Sequence, residues 1–300
     1  MRRLIKNFVL FFAAFVLFGG AAVLSSWKFD GVEHWLWGNS SPNGSTNLRI
    51  PEFVEWSGTH SAPDILFLGS STCYRGIDPQ RLDAFGLATY NLCSSAQSLA
   101  TSQFLLDFSL DYSRPKTIVL DMYEGVLGCT CYQSRRDHIV SNNLVGAEAF
   151  QRMAWNTGDP FFTMQAQYFS WKRGAVPLPP MQPSGAEEYV GRGFVSSTAE
   201  KKDISPCDHD DVEMHPDNIE ALQYIAERCD QLGIDLVLLS PPMTCSGDLN
   251  WPECTMEFDW IDGNDWPEAK TDTMYYDDHH LRAVGANSYS DWLGNELLNL

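Results

Sequence analysis

The stretch from Asp64 to Pro79, DILFLGSSTCYRGIDP, decides the fold. Ile65-Leu66-Phe67-Leu68 is a continuous apolar run, too short for a helix and unbroken by polar residues. A strand buried on both faces of a parallel sheet reads this way. Gly69, Ser70 and Ser71 end it in a turn, and Pro79 opens a short candidate helix to Phe85. Downstream, Thr89–Leu92 is a second candidate strand. Ser98 is placed to cap a helix to Tyr112 that buries Leu99, Phe104, Leu105 and Phe108, and Pro115 closes it. Thr117–Leu120 is a third strand. Strands alternating with helices at this spacing predict an α/β fold, a parallel sheet covered on both faces.

The pattern returns at Pro216. Ile219, Leu222, Ile225, Ala226 and Cys229 recur at helical spacing, and Gly233 is the expected stop. Ile234–Leu239 is the clearest strand, and Ala286–Leu298 is a last amphipathic helix with Tyr289, Leu293 and Leu297 on one face. Residues 125–211 and 241–273 show only weak periodicity and read as insertions, of the kind that shape a cleft above a sheet.

The amino-terminal thirty residues stand apart. Arg2, Arg3 and Lys6 precede an uncharged apolar run from Phe8 to Leu24, with Trp27 just beyond. A basic flank before a run of about 17 apolar residues predicts a membrane anchor with the following chain outside the cytoplasm. A cleaved signal peptide is the alternative, and it exports the chain equally. Residues 31–63 read as a stalk, and 64–300 as the folded domain. The net charge of −19 argues against a nucleic-acid partner, since such a surface repels phosphates. All 8 cysteines follow the apolar run, as suits an exported, disulfide-bearing domain. Cys245 and Cys254 bracket a short loop and are the expected pair. Cys129 and Cys131 sit too close in sequence for an easy bridge to each other, and Cys229 reads as a buried thiol.

Two motifs carry chemistry. Ser71 lies where the first strand ends, and sites in open parallel sheets lie beyond the carboxyl ends of strands. Asp277-Asp278-His279-His280 lies just before the last helix. A histidine can take a serine proton while a carboxylate orients the imidazole, and D-x-x-H puts both on one turn. Two Asp and two His also allow a metal, but no other segment has convincing ligand spacing, so neither metal nor cofactor is expected. His279 reads as an exposed or supporting residue. Trp251, Trp260 and Trp266, in the loop before the His turn, could stack on sugar rings or simply pack together.

Taken together, Asp64–Pro79 and Tyr275–Ser290 (YYDDHHLRAVGANSYS) resemble the first and last blocks of SGNH/GDSL-like hydrolases, and Tyr90–Ser98 (YNLCSSAQS) resembles the second. The resemblance implies a three-layer α/β/α sandwich with Ser71 as nucleophile, His280 as base and Asp277 as its orienter. It implies an oxyanion hole built on the Ser71 N–H. Cys93 stands where the family's second block has a glycine, and its N–H is a candidate second donor; the Asn of the third block is missing, leaving Gln97 or Asn91 as stand-ins. The anchor, the G-S-S block and the degenerate middle are similar to membrane-tethered proteins of cell-surface O-acylation, of the alginate O-acetylation and lipoteichoic-acid D-alanylation types. That likeness implies a serine-dependent ester hydrolase or O-acyltransferase on cell-envelope glycan or acylated polymer, working with a membrane-bound O-acyltransferase. The alternatives are a catalytically inactive scaffold or binding protein and a general secreted esterase or lipase.

Overall fold

The computed structural model describes residues 2–26, 46–60, 62–131, 134–135, 138, 148–156, 185–202, 213–245, 255 and 257–300. It divides into two units, residues 1–41 and 42–300.

The first unit contains helix α1 (Arg2–Ser26). Its segment Arg2–Ala21 has a mean hydropathy of 2.0 and no buried surface. By length and composition it can cross a membrane, a test that a signal sequence also passes.

The second unit opens with helix α2 (Thr46–Thr59). Over residues 46–59 a packed helix replaces part of the stalk expected across 31–63. Ile50 and Phe53 are fully buried, and Phe53 packs edge-on against Tyr90 with ring centroids 5.0 Å apart. Pro51 obscures the helical signal in the sequence, because an interior proline removes a hydrogen bond.

The core is a five-stranded sheet in the order β2-β1-β3-β6-β7, parallel throughout. Its strands are β1 (Ile65–Leu68), β2 (Thr89–Asn91), β3 (Thr117–Asp121), β6 (Asp235–Ser240) and β7 (Asp259–Asp262). Strand alternation gives each face its own helices. Ile65, Phe67, Val119, Val237, Leu239 and Ile261 join one apolar cluster with Tyr289, Leu293 and Leu297 of α6 (Ala283–Leu298). The same cluster takes in Cys73 and Tyr74 of α3 (Ser71–Gly76). Leu66, Leu68, Ile118, Leu120 and Leu238 point the other way and are buried. Helices α4 (Leu99–Leu110) and α5 (Pro216–Leu232) pack together, and each touches the sheet. The expected α/β class with a parallel sheet between helix layers is the observed one.

Two elements were hidden in the insertions. An antiparallel hairpin, β4 (Glu187–Gly191) and β5 (Phe194–Ser197), packs its buried strand β5 against α3. Strand β7 is the edge of the main sheet, carrying Asp259 and Asp262 at its ends. Charged residues on a short edge strand conceal its β character and discourage pairing with another chain.

Candidate active site

Gly69 follows β1, and Ser70 caps α3, accepting from the Thr72 N–H. The cap is fixed by Asp121, the last residue of the neighbouring strand β3. Asp121 Oδ2 accepts from the Ser70 N–H, the Ser70 hydroxyl and the Thr72 hydroxyl, each at 2.8 Å. Burial pushes the Asp121 carboxyl above its ordinary range, against these hydrogen bonds. Ser70 therefore faces inward, fully buried, while Ser71, the first residue of α3, stays half-buried at the surface. The carboxyl ends of β1 and β3 together present Ser71.

The second half of the site lies 209 residues away. The turn Asp277–His280 is pinched by a bridge between Tyr275 and Leu281 and by the Tyr276 N–H donating to the His280 carbonyl at 3.1 Å. Asp277 Oδ1 accepts the N–H of His280 at 2.7 Å and of His279 at 3.2 Å. Its Oδ2 lies 2.8 Å from His280 Nδ1, and His280 Nε2 lies 2.8 Å from Ser71 Oγ. The three sequence-derived residues thus form one continuous hydrogen-bonded line. With Nδ1–H donated to Asp277, Nε2 carries the lone pair that faces the Ser71 hydroxyl.

The electrostatics suit a base. Burial, with the neighbouring His279 and Arg75, pushes His280 down to about 4, outweighing Asp277. The imidazole is therefore neutral at physiological pH. Burial raises the Asp277 carboxyl, but hydrogen bonds from His280 and the charges of His280 and His279 outweigh it and hold Asp277 well below the carboxylate range.

His279 is not a free surface residue. Its ring stacks on Tyr123 at 4.9 Å and tilts against His280 at 3.9 Å, and its Nδ1 lies 2.5 Å from Asp278 Oδ1. Ligand atoms of Asp277, His279 and His280 fall within 4.8 Å of one another, close enough for a cation. Both ring nitrogens of His280, however, already face Asp277 and Ser71.

The oxyanion candidates fare unevenly. The Ser71 N–H lies in the first turn of α3, where amides have no intrahelical acceptor. The Cys93 N–H, in contrast, donates to Asn91 Oδ1 at 3.0 Å. Asn91 is fully buried and spends its amide on the carbonyls of Cys73 and Ile77, at 3.2 and 3.4 Å. Gln97 is buried between Ser94 and Ser102, accepting from the first at 2.7 Å and donating to the second at 3.0 Å. The hydrogen bonds of these three residues join β2 and its loop to α3 and α4.

No family model and no curated protein matches the chain. Among solved structures it is similar to a protein of Bacteroides fragilis NCTC 9343 named a "putative acylhydrolase". That likeness has 10% identity and a TM-score of 0.41, over 83% of this chain and 96% of that one. At this identity and score it says nothing about activity.

Several site residues escaped the sequence. A Cys73–Cys93 disulfide, with Cα atoms 6.1 Å apart, ties α3 to the end of β2. Cys129 and Cys131 bridge each other, against the expectation. A φ of 44° at Cys131 turns the chain back so that the two side chains meet. Cys229 is a buried free thiol. Cys245 is disulfide-bonded, while Cys254, its expected partner, lies outside the described residues. Beneath the second loop, buried His138 lies 2.9 Å from the Ser94 hydroxyl, and Ser94 donates its N–H to the Gly69 carbonyl at 2.9 Å. Burial pushes His138 down to about 3, so it is a neutral brace. Trp266 is buried in the core rather than offered to a ligand, and Trp251 lies outside the described residues. Trp260 is half-buried on the edge strand β7. With Trp292, Asp262 and Glu296 it lines a cavity of about 380 Å³ that includes none of Ser71, Asp277 and His280.

Proposed function

We propose that this protein is a serine-dependent acyl hydrolase or acyltransferase that works through an acyl ester on Ser71. The observation that carries the reading is the unbroken line Asp277–His280–Ser71, with both contacts of His280 at 2.8 Å. Ser71 Oγ attacks the acyl carbonyl carbon while His280 Nε2 takes the serine proton. The alcohol then leaves with that proton, and Ser71 is left esterified. Water or an acceptor hydroxyl, deprotonated by His280, breaks the ester and restores the serine. Asp277 holds the tautomer and stabilises the imidazolium formed at each step. The Ser71 N–H, in the first turn of α3 and without an intrahelical acceptor, is a donor for the oxyanion.

An export helix with a basic flank, and the likeness of the motif blocks to tethered O-acylation proteins, support an extracytoplasmic enzyme. It would move acyl groups on cell-envelope glycan or polymer beside a membrane-bound O-acyltransferase. One observation favours an inactive scaffold instead: Cys93, Asn91 and Gln97 are all committed elsewhere. Loss of an oxyanion donor costs about two to three orders of magnitude in rate.

Labelling of the full chain with a fluorophosphonate probe decides between them. Wild type should be labelled at Ser71, and Ser71→Ala should not. An unlabelled wild type, with or without a membrane O-acyltransferase present, would establish the scaffold.

A further inference from the structure

We propose that Arg75 is a positioning residue for His280, acting through Tyr276; its catalytic meaning rests on the acyl-Ser71 reading above. The two hydrogen bonds of His280 define an axis through Nδ1 and Nε2. They hold the ends of the ring and leave its tilt about that axis, a small freedom within the reach of the Cβ–Cγ bond, to the rings packed against it, of which His279 lies at 44° with centroids 3.9 Å apart. A parallel ring removes this freedom. Tyr276 supplies one, with centroids 5.3 Å apart and planes within 4° of parallel.

Tyr276 is in turn held by Arg75. Arg75 stands one helical turn after Ser71 on α3, so it reaches from the nucleophile's helix to the base's turn. Its Nη1 donates to the Tyr276 hydroxyl, and its guanidinium carbon lies 5.5 Å from the centroid of that ring. The guanidinium is itself locked from two further sides. Its Nε donates to the Tyr74 hydroxyl at 3.2 Å, and Nη1 pairs with Glu187 of β4 at 2.6 Å. The side chain is only 12% exposed, so water cannot easily replace these contacts. A planar fork with several fixed donors suits this task, and a lysine's single point of charge does not. The hairpin thus acquires a purpose: Glu187 sets Arg75, Arg75 sets Tyr276, and Tyr276 sets the plane of the imidazole.

Charge acts in the same direction. His280 faces Asp277, His279 and Tyr276 from its own turn and Ser71 and Arg75 from α3, while Tyr123 and Asp121 lie behind His279. Of these, Asp277 favours the imidazolium, whereas Arg75 and His279 oppose it. Removing the Arg75 cation should therefore let His280 protonate at a higher pH.

The test uses the full chain in detergent, with two readouts across pH: the rate of fluorophosphonate labelling, and the His280 titration followed by NMR of histidine-labelled protein. Arg75→Met and Tyr276→Phe should each slow labelling by about tenfold or more, as small misplacements of reacting groups do. The double variant should be no slower than the worse single one, because both break one relay. In Arg75→Met the acid limb and the His280 midpoint should move to higher pH. Arg75→Lys should stay slow, with its acid limb near that of wild type. Tyr276→Phe removes one hydroxyl and keeps the ring, so it covers the case in which Arg75→Met fails to fold. Wild-type rates in both single variants would overturn the proposal, as would an unmoved acid limb in Arg75→Met or losses that multiply in the double. If wild type is not labelled at all, the acyl-Ser71 reading has failed instead. The NMR midpoint then decides alone, and an unmoved His280 in Arg75→Met overturns the positioning role.

Discussion

Gly69 lies directly against the side chain of Asp121, and a β-carbon built on Gly69 would collide with the Asp121 β-carbon. This contact brings the end of β1 close enough to β3 for one carboxylate oxygen to take three hydrogen bonds from Ser70 and Thr72.

Gly69→Ala should therefore separate the two strand ends and shift Ser71. Asp121→Ala should cost on the order of 2–4 kcal/mol, because it strands buried donors of Ser70 and Thr72 without an acceptor. Urea denaturation measures the loss, and both variants should also be labelled slowly at Ser71.

Adjacent serines should behave oppositely. Ser70→Ala removes a helix cap and a buried hydrogen bond, at a cost of about 1–2 kcal/mol. Ser71→Ala removes a half-exposed hydroxyl that caps nothing, and its stability should stay within about 0.5 kcal/mol of wild type. Labelling should vanish in Ser71→Ala and persist in Ser70→Ala. Thermal melts run beside labelling would show the crossed pattern, and its reversal would move the nucleophile to Ser70.

With His280 held down to about 4, the base needs no deprotonation at neutral pH. Labelling should stay flat from neutral pH to about 5 and be half lost near 4. Stability follows the same group. The unfolded histidine binds its proton near its ordinary value, and the folded one resists it. Between those two values the unfolded state holds more protons, so stability should fall as the pH falls through that window. Asp277, whose folded value is depressed, adds a loss in the same direction at still lower pH. An acid limb near the ordinary histidine value would show that burial does not control His280.

The Cys73–Cys93 bridge closes a separation of 20 residues. A loop of that length stabilises by about 3 kcal/mol in the chain-entropy picture. Cys73→Ser with Cys93→Ser should lower the melting temperature and slow labelling, since the bridge joins the nucleophile's helix to the neighbouring strand. Peptide mapping without reductant should recover the linked pair.

Much of this was legible because its signals are local. Ile65–Leu68 and Thr117–Leu120 are apolar runs between turn residues, and central strands look the same whatever covers them. Ser71 is marked by its place at the end of a strand, and the Asp277/His280 pair by its D-x-x-H spacing before the last helix; the resemblance of the two blocks to SGNH/GDSL-like hydrolases joins them. What stayed hidden depends on partners distant in sequence. Asp121 reads as the polar end of a strand until Ser70 is set beside it. Asn91 and Gln97 have the chemistry of oxyanion donors, and nothing in their neighbourhood reveals that other buried groups already claim them. The hairpin at Glu187–Ser197 is masked by a charged, half-exposed outer strand, and α2 by its proline. Nothing beside Arg75 in the sequence points to its role, because its partners Tyr276 and Glu187 lie more than a hundred residues away.

The 209 residues between Ser71 and His280 also set a clock on the protein's manufacture. At about 5–20 residues per second, the serine is made some ten to forty seconds before its base. Until the Asp277–His280 turn is translated and docked, the serine has no group to take its proton. A chain that stalls in synthesis before that turn carries a serine with no base beside it.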